Sequence, residues 1–245
     1  MKLSSWMDTP EFSDPRLVAI YDTVNAYSAT SQPHFYSQLA EEIGADLIVD
    51  LGCGTGLITC DLAGQGYEVI GIDPAPAMIE IAHRRDCGGR VRWMIGDAGQ
   101  VGEPNAALAI MTGHVAQFFL TDVGWQAALV ALNRALRPGG RLSFESRNPD
   151  VREWESWTRD FKRSVRDSSA WQIETWSEID SVKDGIISYS IHYLFVDSGE
   201  EVIAPSKLRF RTKAELTMSL TETGFTIERV YGDWDRRPTI REVES

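Results

Sequence analysis

The stretch Val49-Asp50-Leu51-Gly52-Cys53-Gly54-Thr55-Gly56 follows a short apolar run and precedes a helical pattern. Glycines at alternate positions allow a backbone to adopt positive φ angles and to approach a ligand closely. The stretch lies at the carboxyl end of a predicted strand, residues 46–50, and open parallel sheets bind their ligands at that edge. The sequence therefore predicts a ligand site here, with a purely structural strand-to-helix turn as the simpler alternative.

Short β-type runs alternate with helical runs on both sides of this turn. The predicted strands are 46–50, 68–73, 91–95, 107–111 and 142–145, and the helical runs between them are 57–64, 77–85 and 123–136. Residues 15–45 upstream are also helical in pattern. Short apolar strands joined by helices predict a doubly wound α/β fold, in which parallel strands are linked by crossovers.

A different rhythm follows Pro149, because three β-rich runs are separated only by turn residues: Trp171–Ile179, Ile186–Val196 and Val202–Arg211. This pattern predicts an inserted antiparallel β-meander. Thr212 and Glu215 then form a capping-box pattern that starts a closing helix, and Phe225–Tyr231 returns to a strand pattern. We predict three regions: N-terminal helices and α/β core at 1–150, a β-rich substrate lid at 151–211, and closing elements of the core at 212–245.

Composition and charge narrow the class of partner. The 245 residues carry 24 basic and 36 acidic side chains, for a net charge of −12, with 43% hydrophobic residues. No basic stripe is visible, which argues against a nucleic-acid partner and favours a small molecule. The first eight residues contain no apolar run and no later segment could span a membrane, so we expect a cytoplasmic protein without a membrane anchor.

The cysteines support the same expectation. Cys53, Cys60 and Cys87 are odd in number and lack the paired C-x-x-C spacing of a structural zinc site. Any disulfide scheme would leave one of them unpaired, and a reducing compartment is favoured. No metal cluster is apparent from the spacing of metal-ligating residues, so we predict no metal cofactor.

Two further acidic residues stand at predicted strand ends. Asp73 ends the second strand and Asp97 follows the third, and each could accept hydrogen bonds from a nucleoside or simply cap a helix. A nicotinamide dinucleotide is the alternative ligand, but its fingerprint is G-x-G-x-x-G and this loop reads G-x-G-x-G. Asp50 would repel a pyrophosphate and attract an ammonium or sulfonium. The charges therefore favour a cationic nucleoside.

The glycine loop, Gly71-Ile72-Asp73, Gly96-Asp97 and Leu136-Arg137-Pro138-Gly139-Gly140 together resemble the motif series of the class I S-adenosylmethionine-dependent methyltransferases. The resemblance covers about residues 15–150, and residues 212–225 are similar to the family's last helix. It implies a seven-stranded, mostly parallel sheet with the β-meander inserted after strand 5. It also implies S-adenosylmethionine as the cofactor and a methyl transfer to an oxygen, nitrogen or carboxylate of a small molecule.

The resemblance also implies roles for individual residues. The backbone of the glycine loop would line the methionine part of S-adenosylmethionine, with Asp50 beneath it. Asp73 would bind the ribose hydroxyls. Pro74 and Met78 would flank the adenine, and Asp97 with Ala98 would contact the adenine's amine. The cofactor-binding residues implied in this way are Asp50, Gly52, Cys53, Gly54, Gly56, Asp73, Pro74, Met78, Asp97, Ala98 and Gly113.

Four further residues are candidates for catalysis or substrate binding. His114 follows the fourth strand and is interpreted equally well as a base or as a group that hydrogen-bonds the loop. Trp154 and Trp157 suit a lid over an apolar substrate, and Arg147 either orients an anionic group or forms a surface ion pair. The alternatives to an active enzyme are a non-catalytic S-adenosylmethionine-binding module and a nicotinamide-dependent enzyme. A homodimer is a further hypothesis.

Overall fold

A computed structural model describes residues 9–25, 32–166 and 171–238. Residues 1–8, on which part of the expectation of a cytoplasmic protein rests, lie outside this range, as do 239–245 of the predicted closing region. Within the described ranges, no helix is both long enough and apolar enough to cross a bilayer.

The core is a five-stranded parallel sheet with the strand order β3-β2-β1-β4-β5. Its strands are β1 (Leu47–Leu51), β2 (Glu68–Asp73), β3 (Val91–Ile95), β4 (Ala106–Met111) and β5 (Leu136–Phe144). The central strands are apolar on both faces, so both faces are buried under helices. The strand order reverses between β1 and β4, which opens a crevice at their carboxyl ends. The predicted doubly wound α/β fold is confirmed.

The described residues form seven α-helices. They are α1 (Pro10–Ser13), α2 (Pro15–Val24), α3 (Gln32–Glu42), α4 (Leu57–Gly64), α5 (Pro76–His83), α6 (Asp122–Ala135) and α7 (Lys213–Glu222). The predicted capping box of α7 is present, since the Glu215 amide donates to Thr212 Oγ1 and the Thr212 amide donates to Glu215 Oε2. Gly56 is the N-cap of α4, and its φ of 82° is one that glycine adopts without strain.

The insertion forms a separate antiparallel sheet, which confirms the predicted meander. Its strands, in the order β6-β7-β8-β9, are β6 (Arg163–Arg166), β7 (Gln172–Lys183), β8 (Ile186–Phe195) and β9 (Glu200–Arg209). β6 is a short edge strand that the sequence pattern did not indicate. Leu17 and Ile20 of α2 pack against the insertion, and Val18 of α2 packs against Met78 of α5, so α2 lies between the inserted sheet and the core.

The strand count of the core sheet differs from the expected seven. Phe225–Tyr231 does not join the sheet, and in the described part of the chain the parallel sheet ends at β5. Phe225 and Tyr231 anchor this segment in two different core clusters, and Glu228 between them pairs with Arg141 of β5. The segment is therefore held by side-chain contacts and forms no strand of the sheet, although its apolar residues alternate.

Two of the three cysteines are paired, although the sequence favoured a reducing compartment. Cys60 of α4 and Cys87, after α5, form a disulfide with their Cα atoms 4.9 Å apart. Both helices pack on the same side of the sheet, which brings the two residues to a normal disulfide separation. Cys53 in the glycine loop is the buried free cysteine.

Candidate active site

A cavity of about 230 Å³ opens at the carboxyl ends of β1, β2 and β4. Nine of the eleven predicted cofactor-binding residues line it: Gly52, Cys53, Gly54, Asp73, Pro74, Met78, Asp97, Ala98 and Gly113. Asp50 and Gly56 lie behind this lining. The structure therefore brings the separate sequence motifs together around one cavity.

The glycine loop forms the floor of the cavity. Gly52, Gly54 and Gly56 have φ angles of 77°, 55° and 82°, a region that residues with a Cβ atom rarely adopt. A Cβ atom on Gly52 would lie 2.4 Å from Cγ2 of Val115, whereas one on Gly54 would meet no atom within 4 Å. Gly52 thus permits close packing within the protein, and Gly54 leaves open space next to its backbone.

Asp73 ties the glycine loop to the next helix. Its Oδ2 accepts a hydrogen bond of 2.9 Å from the Gly54 amide, and its Oδ1 accepts one of 2.8 Å from the Ala75 amide. Burial raises the pKa of Asp73 to about 6, although both amides favour the ionised form. Each oxygen retains a lone pair, so this carboxylate can accept hydrogen bonds from a ligand as well.

Asp50 is completely buried beneath the loop. Its Oδ2 accepts a hydrogen bond of 2.6 Å from Oγ1 of Thr59, while its Oδ1 has no hydrogen-bond partner. Burial raises the pKa of Asp50 to about 7. An unpartnered buried carboxylate oxygen is costly, and a nearby cation would relieve that cost.

Asp97 is a helix cap, which is one of the two roles that the sequence left open. Its Oδ1 accepts a hydrogen bond of 2.7 Å from the Gly99 amide, and Gln100 reaches back to the Asp97 amide in a capping box. The residue also lines the cavity beside Ala98. Capping fixes the position of the carboxylate without removing it from the site.

The N-terminal helices close the cavity from above, which sequence reasoning missed. Asp22 of α2 accepts a hydrogen bond of 2.5 Å from Oγ1 of Thr55, and both residues line the cavity. Arg85 pairs with Asp22 and donates from Nε to the Thr55 carbonyl oxygen. One three-residue network therefore connects α2, the glycine loop and the end of α5.

Aromatic side chains form the wall opposite the glycine loop. Phe12 from α1, Tyr21 from α2, and Phe118 and Phe119 after β4 all line the cavity. The ring centroid of Phe12 lies 6.2 Å from that of Tyr21 and 6.0 Å from that of Phe118. These distances are typical of interacting aromatic pairs, so the wall is packed before any ligand enters.

Glu145, just after β5, is a second feature that sequence reasoning missed. Its Oε1 accepts hydrogen bonds from the Gly113 amide at 2.5 Å and the His114 amide at 3.3 Å. The remaining donors to this carboxylate, at 2.5 to 3.0 Å, are Gln32, Tyr36 and Trp234. Burial raises the pKa of Glu145, and the donors oppose that effect. The carboxylate fixes the loop that passes over the cavity.

His114 lies in this loop with a left-handed φ of 62°, and its ring is outside the cavity lining. Nδ1 is buried without a hydrogen-bond partner. Burial, together with the positive charge of Arg147, lowers the pKa of His114 to about 3. The imidazole is therefore neutral at physiological pH, and its role stays a prediction.

The predicted substrate residues form a cluster beyond the cavity lining. Arg147 pairs with Glu153 at 3.2 Å, donates to Gln117 at 3.1 Å and lies over the Trp157 ring at 5.5 Å. Trp154 is buried against Phe210. These contacts account for Arg147 as an ion-paired residue, and the lid role of Trp154 and Trp157 stays a prediction.

The core sheet and the glycine loop are both similar to those of known methyltransferases. Residues 48–140 match a family model described as a methyltransferase domain, and this range includes the glycine loop, Asp73 and Asp97. Residues 48–140 therefore carry a methyltransferase domain, and the fold is that of S-adenosylmethionine-dependent methyltransferases. The cofactor of this family is S-adenosylmethionine. In the described residues, no group of three or more His, Cys, Asp and Glu side chains is placed to hold a metal ion.

A relative and two solved structures illustrate the likeness. The malonyl-(acyl-carrier protein) O-methyltransferase of Serratia marcescens is 33% identical over 99 residues, 40% of this chain and 37% of the relative. The alignment thus spans well under half of that methyltransferase's length. The CcbJ methyltransferase of Streptomyces caelestis has a TM-score of 0.69 at 20% identity, with 84% of this chain and 83% of that chain covered. An S-adenosylmethionine-dependent methyltransferase of Clostridium acetobutylicum has a TM-score of 0.73 at 16% identity, with 91% and 92% covered.

Proposed function

We propose that the protein transfers the methyl group of S-adenosylmethionine to an oxygen, nitrogen or carboxylate of a small molecule. The observation that carries this proposal is the unpartnered Oδ1 of Asp50 beneath the glycine loop, with Asp73 at the rim of the same loop. Buried carboxylates without a cation favour a ligand that brings positive charge. S-adenosylmethionine brings an ammonium and a sulfonium.

The residues present fit this cofactor. Asp50 would offset the positive charge of the methionine part, and the open space at Gly54 would let that part lie on the loop backbone. Asp73 would accept hydrogen bonds from the ribose. The adenine would meet Pro74 and Met78 on its faces and Asp97 at its amine. The other cofactor-binding residues that we propose are Gly52, Cys53, Gly56, Ala98 and Gly113.

The cofactor supplies a methyl group on a sulfonium, and the neutral thioether that remains is a good leaving group. The contribution of the chain is to align the acceptor and to exclude water. Val115, Phe118 and Phe119 line the cavity after β4 and would surround the acceptor with apolar side chains. Glu145 holds the Gly113 and His114 amides, so this segment is fixed in place before the acceptor binds.

His114 has a limited role in this proposal. With a pKa near 3, its imidazole is a weak base at neutral pH and is better suited to hydrogen-bond the acceptor or the loop. Arg147 would act on the acceptor only if its pairing with Glu153 opened. We keep Trp154 and Trp157 as candidate lid residues, because Trp157 contacts Tyr189 of the insertion at 4.8 Å between ring centroids.

Two alternatives make different predictions. A nicotinamide dinucleotide would place a pyrophosphate close to Asp50 and Asp73, which like-charge repulsion disfavours. A silent binding module would bind the nucleoside without turning it over. Calorimetry with NAD tests the dinucleotide, and incubation with labelled S-adenosylmethionine and a panel of amines, phenols and carboxylic acids separates the other two cases. Methylated product supports the proposal, and tight binding with no turnover on any acceptor supports a silent module.

A cytoplasmic location, a small-molecule partner rather than nucleic acid, and a homodimer are further parts of the proposal. Alkylation of free thiols in intact cells, followed by fractionation, would report both the location and the state of Cys60 and Cys87. Recovery of the protein in the cytoplasmic fraction, with Cys60 and Cys87 partly or fully reduced, would agree with the proposed location. Sedimentation analysis would decide whether the protein is a dimer.

A further inference from the structure

The Cys60–Cys87 disulfide joins two segments that each hold the glycine loop. Cys60 lies in the first turn of α4, and its amide donates a hydrogen bond of 2.9 Å to the carbonyl oxygen of Gly56. The adjacent Thr59 donates from its hydroxyl to Asp50, beneath the same loop. One half of the disulfide therefore belongs to the helical turn that follows the loop and supports it from below.

The other half of the disulfide belongs to the turn between α5 and β3, residues 84–90. Within this turn Arg85 is half-buried and Cys87 is 7% exposed, while the other five residues are exposed. Sγ of Cys87 lies 3.6 Å from the carbonyl oxygen of Arg85. The disulfide is thus the covalent attachment of this turn to α4, and it lies next to the backbone of Arg85.

Arg85 connects the turn to the candidate cofactor site. Its Nε donates a hydrogen bond of 2.5 Å to the carbonyl oxygen of Thr55 in the glycine loop, and its Nη2 forms an ion pair with Asp22 of α2. Asp22 also accepts from Oγ1 of Thr55, and both residues line the cavity. Because a planar guanidinium makes such contacts in one orientation, a displacement of the turn would break both of them.

The disulfide limits how far the turn can move away from α4. With the bond closed, the Cα atoms of Cys60 and Cys87 are 4.9 Å apart. Without the bond, non-covalent contacts alone hold the turn, and an exposed turn with few buried side chains opens at a low cost in free energy. Opening would carry Arg85 away from Thr55 and Asp22, which would release the glycine loop and α2 from each other.

We infer that the Cys60–Cys87 pair is a redox switch for cofactor binding, and that Arg85 is the positioning residue through which the switch acts. The oxidised protein holds the glycine loop and α2 in the arrangement that binds the cofactor. The reduced protein binds the sulfur nucleoside more weakly. This inference rests on the proposed function and adds a form of regulation to it.

The switching reaction is an exchange between the disulfide and two external thiols. A thiolate attacks Sγ of Cys60, which is the more exposed of the two cysteines, and Cys87 leaves as a thiolate from the mixed disulfide that forms. A second thiolate attacks the external sulfur of that mixed disulfide, and Cys60 leaves as a thiolate. The protein thereby gains two electrons and two protons, and the external thiols become a disulfide.

Calorimetric titration with S-adenosylhomocysteine tests the switch, with the oxidised protein compared with protein reduced by dithiothreitol. We expect an affinity at least about five-fold lower after reduction, which is the lower end of typical couplings between two sites. Equal affinity in the two states would overturn the inference. Thiol alkylation followed by mass measurement establishes the redox state, and circular dichroism establishes that both forms are folded during the titration.

Variants separate the switch from a loss of folding. Cys60→Ser should bind as weakly as the reduced wild type and should not respond to dithiothreitol. Arg85→Gln, with its disulfide intact, should bind at least about five-fold more weakly than the oxidised wild type and lose most of the response. Arg84→Gln is the matched control, because Arg84 pairs with Glu80 on the exposed surface of α5, and it should keep both affinity and response. Wild-type behaviour of Arg85→Gln would contradict the assignment.

Hydrogen exchange measures the same contacts without a ligand. Amides of residues 52–57 and 20–24 should exchange faster in the reduced protein and in oxidised Arg85→Gln, whereas those of α6, in a different core cluster, should not change. Unchanged exchange in both segments would overturn the inference. Absence of S-adenosylhomocysteine binding to the oxidised wild type would instead contradict the proposed function, and faster exchange on reduction would still support the switch.

Discussion

The indole Nε1 of Trp234 donates a hydrogen bond of 2.9 Å to Oε2 of Glu145, across 89 residues of sequence. The same carboxylate accepts from the Gly113 and His114 amides on its other oxygen. The chain after α7 is therefore connected, through one side chain, to the loop that covers the candidate active site. Glu145 positions this loop and is itself outside the cavity lining.

Trp234→Phe should lower the free energy of unfolding by about 1.5 to 3 kcal/mol, because it removes one hydrogen bond to a charged acceptor and keeps a smaller aromatic ring at the position. Glu145→Gln should cost more, since an amide has one acceptor oxygen and turns its own N–H groups toward the donors. Urea denaturation measures both. Trp171→Phe, at a residue that is 39% exposed, is the control. A Trp234→Phe effect no larger than the control would contradict the connection.

The glycine loop gives a prediction that separates stability from binding. Gly52→Ala should destabilise the fold, because its Cβ would clash with Val115. Gly54→Ala should mainly weaken S-adenosylhomocysteine binding, because its methyl group would occupy open space. Gly102→Ala, also at positive φ with nothing nearby, measures the backbone strain alone, about 1 to 2 kcal/mol. Undiminished binding by Gly54→Ala would show that the ligand does not lie on that part of the loop.

The ligand-free protein should become less stable as pH rises from about 4 to about 7. Burial raises the pKa of Asp50 from 3.8 to about 7, so the folded protein retains a proton that the unfolded chain releases over this interval. Asp50→Asn removes that contribution and should make the decrease shallower. Denaturation curves across the interval measure it, and identical slopes for the two proteins would refute the raised pKa of Asp50.

Reduction of the Cys60–Cys87 disulfide should lower the free energy of unfolding. The bond spans 27 residues of sequence, and loop-closure entropy for such a loop corresponds to about 3.5 kcal/mol. Denaturation with and without dithiothreitol measures the difference, and Cys60→Ser provides the matched variant. Because Cys53 is free and buried, Cys53→Ser should leave the response to dithiothreitol unchanged.

The parts of the site that local sequence could predict are those that depend on local geometry. Gly52, Gly54 and Asp73 belong to short turns at strand ends, and the alternation of strands and helices fixes which ends meet. The Thr212 capping box was predictable for the same reason, since both of its partners lie within one helical turn.

Other parts depended on contacts between distant segments. The donors to Glu145 come from α3, the loop after β4 and the chain after α7, and no local pattern marks their acceptor. The disulfide likewise depended on two helices packing side by side, which the spacing of Cys60 and Cys87 did not reveal.

The central claim is that the cavity binds S-adenosylmethionine with Asp73 at the ribose. Calorimetric titration of S-adenosylhomocysteine into wild-type protein and Asp73→Ala, with NAD as the competing ligand, tests it most directly. We expect saturable binding of the sulfur nucleoside, no binding of NAD, and an affinity at least about ten-fold lower in Asp73→Ala with the fold intact by circular dichroism. Binding of NAD but not of the sulfur nucleoside would contradict the claim, and unchanged affinity in the variant would refute the ribose assignment.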